Sequence, residues 1–186
     1  MSDPTDEALA ARRTSPWSFR EKLARATWHC VEATLFRLSP QPMYRWRNWL
    51  LRRFGARVDP SARIRPTVRI EVPWNLSVGA ETIIGDYAIL YCLGTVSIGA
   101  RSVISQYAHL CAGTHDFTKR AFPLLRPPIT VGDDVWIAAD VFVGPNVTIG
   151  DGAVVGARSS VFDNLPPWMV CVGSPARPIR NRTLNP

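Results

Sequence analysis

The histidines and cysteines of this sequence are its candidates for proton transfer and nucleophilic chemistry. One of them, a histidine, stands out by its position. His115 precedes an irregular, proline-rich run, residues 116–128, which carries Lys119, Arg120 and Arg126. An imidazole ordinarily accepts a proton near neutral pH, so His115 is the candidate general base for activating a hydroxyl group. The alternative is a loop histidine that is merely held by a hydrogen bond.

For the other histidines and for the cysteines, the sequence favours structural roles. His29 lies in a predicted helix, and His109 follows a small residue at a repeat corner, where an outward-facing structural side chain is expected. Cys111 is close enough to His115 in sequence to suggest an acyl-cysteine, but it directly follows a predicted core leucine. The four cysteines show no Cys-x-x-Cys spacing, and no secretory leader is evident, which favours a reducing cytoplasm.

The elements that position His115 follow from a six-residue aliphatic repeat. Six residues are three strand periods, so each step returns a side chain to the same inner face, and three steps close a triangular coil. The positions are Val58, Ile64, Ile70, Val78, Ile84, Leu90, Ile98, Ile104 and Leu110, then Val131, Ile137, Val143, Ile149, Val155 and Val161. The sequence predicts a mainly β fold, a parallel β-helix of about five coils, with 116–128 as an extruded loop and a bulged corner in the first three coils.

A helical arm is predicted before the coils. Ser18 and Glu21 form a capping-box pattern that starts a first helix, and a second helix covers about 41–54 with Gly55 just past its end. Apolar residues of the first helix fall on one face: Phe19, Leu23, Ala26, Cys30, Val31, Leu35 and Leu38. The predicted organisation is a loose tail (1–16), the arm (17–57), the β-helix domain (58–175) and a C-terminal tail (176–186).

Charge is concentrated in the N-terminal region. Residues 1–57 contain 11 basic and 5 acidic side chains, whereas residues 58–186 contain 11 and 10. This asymmetry argues against a nucleic-acid-coating protein and for local contact with an anionic surface. Either the arm caps the first coil, or it also docks on an anionic membrane or a lipid-linked substrate through Trp17, Trp28, Trp46 and Trp49 with Arg45, Arg47, Arg52, Arg53 and Arg57. The sequence contains no apolar run of about 18 residues, so no membrane span is predicted.

Several motifs resemble a known family. They are Trp136-Ile137-Ala138, the run from Thr148 to Ala157, Gly113-Thr114-His115-Asp116, and Gly173-Ser174-Pro175-Ala176-Arg177. The chain from about residue 17 onward is similar to the hexapeptide-repeat acyltransferases, in particular the colanic-acid-biosynthesis type of O-acetyltransferase. The resemblance implies a left-handed β-helix, acetyl-CoA as cosubstrate, a homotrimer with active sites between neighbouring prisms, and His115 as the base.

The resemblance also implies binding residues. Coenzyme A is expected along Ala139, Ala157 and the backbone of Phe162, with its phosphates near Arg177 and Arg180. Relatives usually carry a lysine where this chain has Asp163. Repeat filling is the structural alternative for the two alanines. Acceptor contacts are expected from Tyr91, Asp116 and Trp136. Their structural alternatives are an exposed corner tyrosine, a solvated turn aspartate and a corner aromatic that packs on a neighbour. One class with this fold holds zinc by three histidines, but only His109 and His115 lie in the prism, so no metal is predicted.

Together these observations predict an acetyl-CoA-dependent O-acetyltransferase that acts on a sugar hydroxyl in exopolysaccharide or envelope glycan assembly, in the cytoplasm or peripherally at the membrane. The strand Leu90-Tyr91-Cys92-Leu93 lacks the Asn and Asp side chains of the maltose and galactoside branch. Two alternatives remain open: an acetyltransferase for an antibiotic or an amino sugar, and a non-enzymatic β-solenoid scaffold.

Overall fold

The computed structural model describes residues 15–184. In chain order its strands are β1 (Arg57–Val58), β2 (Arg63–Ile64), β3 (Arg69–Ile70), β4 (Leu76–Val78), β5 (Ile83–Ile84), β6 (Ile89–Tyr91), β7 (Val96–Ile98), β8 (Val103–Ile104), β9 (His109–Cys111), β10 (Thr114–His115), β11 (Leu124–Leu125), β12 (Ile129–Val131), β13 (Trp136–Ile137), β14 (Phe142–Val143), β15 (Val147–Ile149), β16 (Val154–Val155), β17 (Ser160–Val161), β18 (Met169–Gly173) and β19 (Ala176–Asn181). The predicted loose tail, except for residues 15 and 16, lies outside the described residues.

Three parallel sheets form the faces of a prism. Their strand orders are β1-β4-β7-β12-β15, then β2-β5-β8-β13-β16-β18-β19, and β3-β6-β9-β14-β17. Only β19 runs antiparallel in these faces. It lies inside the predicted C-terminal tail and pairs with β18. The predicted parallel β-solenoid is confirmed. A partial sixth coil follows the five predicted ones, because Leu165 bridges to Ile149 and β18 continues the second sheet.

The predicted inward positions form the core. Val58, Val78, Ile98, Val131 and Ile149 align in the first sheet, and all are buried. Neighbouring residues in each strand alternate outward, as the period of two requires. Residues 73–75 form a 3-10 turn after the third aliphatic position of the first coil, at the corner where the extra residues predicted a bulge.

The helical arm packs on the first coil. Helix α1 (Phe19–Val31) begins with the predicted capping box and continues as a π turn, Glu32–Phe36. Helix α2 (Tyr44–Arg53) begins three residues later than predicted, because the proline-containing turn at 40–43 occupies its expected start. It ends as predicted: Gly55 has φ +86°, and the Ala56 N–H donates to the Leu51 carbonyl at 3.1 Å.

The buried side of α1 differs from the predicted apolar face. Trp28 and Phe36 are fully buried, and the indole N–H of Trp28 donates to the Ile70 carbonyl at 2.6 Å. Phe19 and Leu38, at the two ends of the predicted face, are instead 80% and 77% exposed. The Trp28 ring buries a large apolar surface and donates a hydrogen bond to the first coil, so this side of the helix faces inward. Between residues 15 and 184, no helix is both long and apolar enough to cross a membrane.

Candidate functional site

The extruded loop is a short hairpin that carries His115 away from the prism. Strands β10 and β11 pair antiparallel, with His115 opposite Leu124. The Asp116 N–H donates to the Pro123 carbonyl at 3.0 Å and closes the hairpin one residue further on. Since the preceding Ala112 is still buried in the core, His115 is fixed to the prism on one side and to the loop on the other.

The ring of His115 is oriented by the loop itself. Its Nδ1 lies 2.6 Å from the carbonyl oxygen of Phe122. A carbonyl can only accept a hydrogen bond, so Nδ1 carries the proton and the neutral ring keeps its lone pair on Nε2. The exposed side chain of His115 therefore presents a basic nitrogen.

A cavity of about 800 Å³ opens beside this ring. Three parts of the chain form its wall: the arm, the third prism face and the loop. The lining residues are Pro16, Trp17, Arg25, Tyr91, Leu93, His115, Ala121, Phe122, Pro123 and Leu124. This volume and mostly apolar wall are typical of a small-molecule site.

Trp17 and Arg25 form part of this wall and were not among the predicted site residues. The Trp17 ring lies between two guanidinium groups, with Arg25 at 4.2 Å and Arg126 at 3.9 Å from the ring centroid. Arg25 also pairs with Glu71. Trp17 thus links the arm to the loop, across a sequence separation that no local motif reveals.

Tyr91, an expected acceptor contact, lies in the cavity wall. Its ring meets the edge of His109 at 6.4 Å and an interplanar angle of 89°. Burial, and then the nearby charge of Glu71, raise the pKa of Tyr91, so its hydroxyl stays protonated. Burial, and then Arg69, lower the pKa of His109, which favours a neutral ring and the structural role.

Two neighbours of His115 in sequence are engaged elsewhere. The Asp116 carboxylate accepts hydrogen bonds from the backbone and hydroxyl of Thr118 and pairs with Lys119, which is the turn role given above as its alternative. These bonds lower the pKa of Asp116. Burial raises the pKa of the Cys111 thiol, which opposes the thiolate needed for an acyl-cysteine.

The residues expected to bind coenzyme A lie along the later coils. Ile137 and Val155 are paired core positions of adjacent coils, and Ala139 and Ala157 come two residues after them. The two alanines therefore occupy equivalent corners. Ala139 is half-buried, whereas Ala157 and Phe162 are exposed.

The expected phosphate-binding residues are near the end of the chain. Both Arg177 and Arg180 lie on β19 and are exposed. A guanidinium nitrogen of Arg177 pairs with the Asp163 carboxylate at 2.7 Å. The aspartate that stands where relatives usually carry a lysine therefore contacts Arg177 directly. Both arginines retain nitrogen donors that fit phosphate oxygens.

Trp136 is half-exposed on β13, where its indole N–H donates to Ser105 Oγ at 3.0 Å. Neither Trp136 nor any of the five expected coenzyme A residues is part of the wall around His115 in this single chain. Among the described residues, no group of three His, Cys, Asp or Glu side chains is placed to hold a metal ion.

The solenoid and its histidine-bearing loop define the class of protein. A family model described as "Bacterial transferase hexapeptide (six repeats)" matches residues 128–163. The chain is 53% identical over 155 residues, 83% of its length and 85% of the relative's, to the putative colanic acid biosynthesis acetyltransferase WcaF of Escherichia coli K12. The chain therefore belongs to the hexapeptide-repeat transferase family, which confirms the predicted resemblance and the assignment as an acyltransferase.

More distant relatives agree with this. The galactoside O-acetyltransferase of Escherichia coli K12 is 33% identical over 144 residues, 72% of this chain and 68% of that protein. A solved structure of galactoside acetyltransferase in complex with coenzyme A superposes with a TM-score of 0.82 at 26% identity, covering 98% of this chain and 92% of that one. The acetyltransferase VCA0836 of Vibrio cholerae superposes with a TM-score of 0.79 at 26% identity, covering 89% and 94%.

Proposed function

We propose that this protein transfers the acetyl group of acetyl-CoA to a sugar hydroxyl, with His115 as the general base. One observation carries the proposal: the Phe122 carbonyl holds the Nδ1 proton of His115, which leaves Nε2 basic at the edge of the cavity. The acceptor oxygen would attack the thioester carbonyl while its proton passes to Nε2. The carbon–sulfur bond would then break, and His115 would pass the same proton to the departing thiolate of coenzyme A, which leaves as the thiol.

The wall of the cavity supports a sugar as the acceptor. Tyr91 and Phe122 are aromatic, and aromatic faces pack well against the C–H surfaces of a sugar ring. The similarity to the colanic acid biosynthesis acetyltransferase supports a precursor of an exopolysaccharide or envelope glycan. Four free cysteines fit a reducing cytoplasm, and a lipid-linked precursor would bring the enzyme to the membrane surface.

Acetyl-CoA would lie along the corner of the later coils. Ala139, Ala157 and the backbone of Phe162 would contact its pantetheine arm, and Arg177 and Arg180 its phosphates. Asp163 already pairs with Arg177, so a phosphate there would compete with a carboxylate. The relative solved with coenzyme A supports the same kind of cosubstrate for this chain.

A direct assay tests the proposed reaction. Acetyl-CoA should be consumed in the presence of nucleotide sugars or lipid-linked sugars, with an O-acetyl ester in the product by mass spectrometry. Antibiotics and amino sugars, run in the same panel, test the alternative acceptors. Consumption only with an amine acceptor, and an amide as product, would contradict O-acetylation. Failure to bind or consume acetyl-CoA with every acceptor would favour a scaffold.

We further infer that the protein is a homotrimer. None of the expected coenzyme A residues is in the cavity wall that contains His115, and a neighbouring prism would bring the two sets together. Sedimentation equilibrium should therefore give about three times the 20.7 kDa chain mass. A monomer that is fully active at nanomolar concentration would contradict this assembly.

A further inference from the structure

The N-terminal helix presents a largely apolar stripe to solvent. From Phe19, steps of three or four residues place side chains along one side of α1, its π turn and the turn that follows. Six side chains form this exposed stripe, and each of them is exposed to solvent: Phe19, Leu23, Ala26, Cys30, Thr34 and Leu38. Trp28 and Phe36, on the opposite side, hold the helix to the first coil. The stripe is therefore available while the helix keeps its structural role.

Basic side chains border the exposed stripe on both sides. Relative to Phe19, a rotation of about 100° per residue turns Arg20 about 100° one way and Lys22 about 60° the other way. Arg37 lies beside the far end of the stripe, and all three side chains are exposed. A shallow groove of about 280 Å³ next to Ala26 is lined by Lys22, Arg25 and His29. Glu71 pairs with Arg25 and lies 3.7 Å from His29 at this groove.

Acidic side chains of the arm do not balance these charges. Residues 18–38 contain four basic side chains and two acidic ones, Glu21 and Glu32. Glu21 is bonded to Ser18 in the helix cap, and Glu32 accepts the Ile70 N–H at 2.7 Å. The face around the stripe is thus apolar at its centre and cationic at its rim.

We propose that this exposed stripe binds an anionic lipid bilayer, with Phe19, Leu23 and Leu38 at the boundary between headgroups and acyl chains. A helix with an apolar face and a basic rim is the pattern of interfacial membrane binding. Pairing of this stripe with the same stripe of a second copy would place like charges together, which opposes self-association. The inference does not depend on the reaction proposed above, because it uses only the arm.

The proposed membrane-binding surface differs from the tryptophan- and arginine-rich surface that the sequence suggested. Trp28 is buried, Trp17 is held by two guanidinium groups, and Arg47 is fully buried. Trp46 stacks on Trp49 at 5.1 Å, and its indole N–H donates to the Leu35 carbonyl at 3.1 Å within the arm. Trp28 therefore serves the contact with the prism, whereas the stripe of α1 faces outward.

Vesicle sedimentation tests the proposal on the full chain. The protein should pellet with phosphatidylcholine vesicles that contain phosphatidylglycerol, and less with phosphatidylcholine alone or in high salt. Replacing Arg20 and Lys22 together by Ala should weaken binding about fivefold for each charge, corresponding to about 1 kcal/mol each. No binding to the anionic vesicles at low salt would overturn the proposal.

A matched pair of variants locates the binding surface. Leu23 and Ile179 are both 59% exposed, but only Leu23 is on the stripe. Leu23→Asp should weaken vesicle binding about tenfold or more, whereas Ile179→Asp should leave it unchanged. Equal losses for both variants, or no loss for either, would contradict the assignment. A change in oligomeric state with Leu23→Asp, measured by sedimentation velocity, would make the stripe an interface between copies instead.

Discussion

His115→Ala is expected to lower turnover about a hundredfold or more, with the fold and coenzyme A binding intact. The side chain is exposed on the hairpin, so its loss removes little packing. What it removes is Nε2, the basic nitrogen that would take the proton of the acceptor hydroxyl. Steady-state kinetics, with coenzyme A binding measured by calorimetry, check both parts of the expectation.

A second substitution separates chemistry from loop structure. His115→Asn keeps an amide N–H that can donate to the Phe122 carbonyl, but it supplies no basic nitrogen. We expect it to be as slow as His115→Ala. His29→Ala serves as the control, because this half-exposed histidine on α1 is not part of the cavity wall. Turnover near the wild-type rate in either His115 variant would remove this residue from the mechanism.

Arg47→Met is expected to lower the free energy of unfolding by about 3 kcal/mol. Arg47 is fully buried, and its guanidinium donates to the Ile64 carbonyl at 2.8 Å, the Pro40 carbonyl at 2.9 Å and the Gln41 carbonyl at 2.6 Å. A further bond reaches Ser39 Oγ at 2.8 Å. Methionine has similar length but no donor, so these oxygens would lose their partners in the turn and the first coil.

Denaturant unfolding followed by circular dichroism, at equal protein concentration, measures this loss. Arg45→Met is the matched control, because Arg45 is exposed on the same helix and should change stability by less than about 0.5 kcal/mol. Arg47→Lys should be intermediate, since a single ammonium group cannot reach all four oxygens. Equal stability of Arg47→Met and Arg45→Met would show that the arm is not held to the prism by this side chain.

Local patterns were enough to predict the solenoid, the start of α1 and the end of α2. An aliphatic side chain every six residues returns to the same inner face whatever the rest of the chain does, so the core positions could be assigned directly. The capping box at Ser18 and the glycine at position 55 likewise depend on a few adjacent residues. The break in the repeat after residue 115 identified the loop and, with it, His115 as the candidate base.

Contacts between distant residues were decided only by the tertiary structure. Trp17 meets Arg126 and shares the cavity wall with His115, although more than a hundred residues separate Trp17 from Arg126. The helical period of α1 predicted an apolar side, but only packing on the first coil determined that Trp28 would be buried and Phe19 exposed. Spacing along a chain fixes which side chains share a face. Which face becomes buried depends on the surface it meets, and that surface exists only after the coils have stacked.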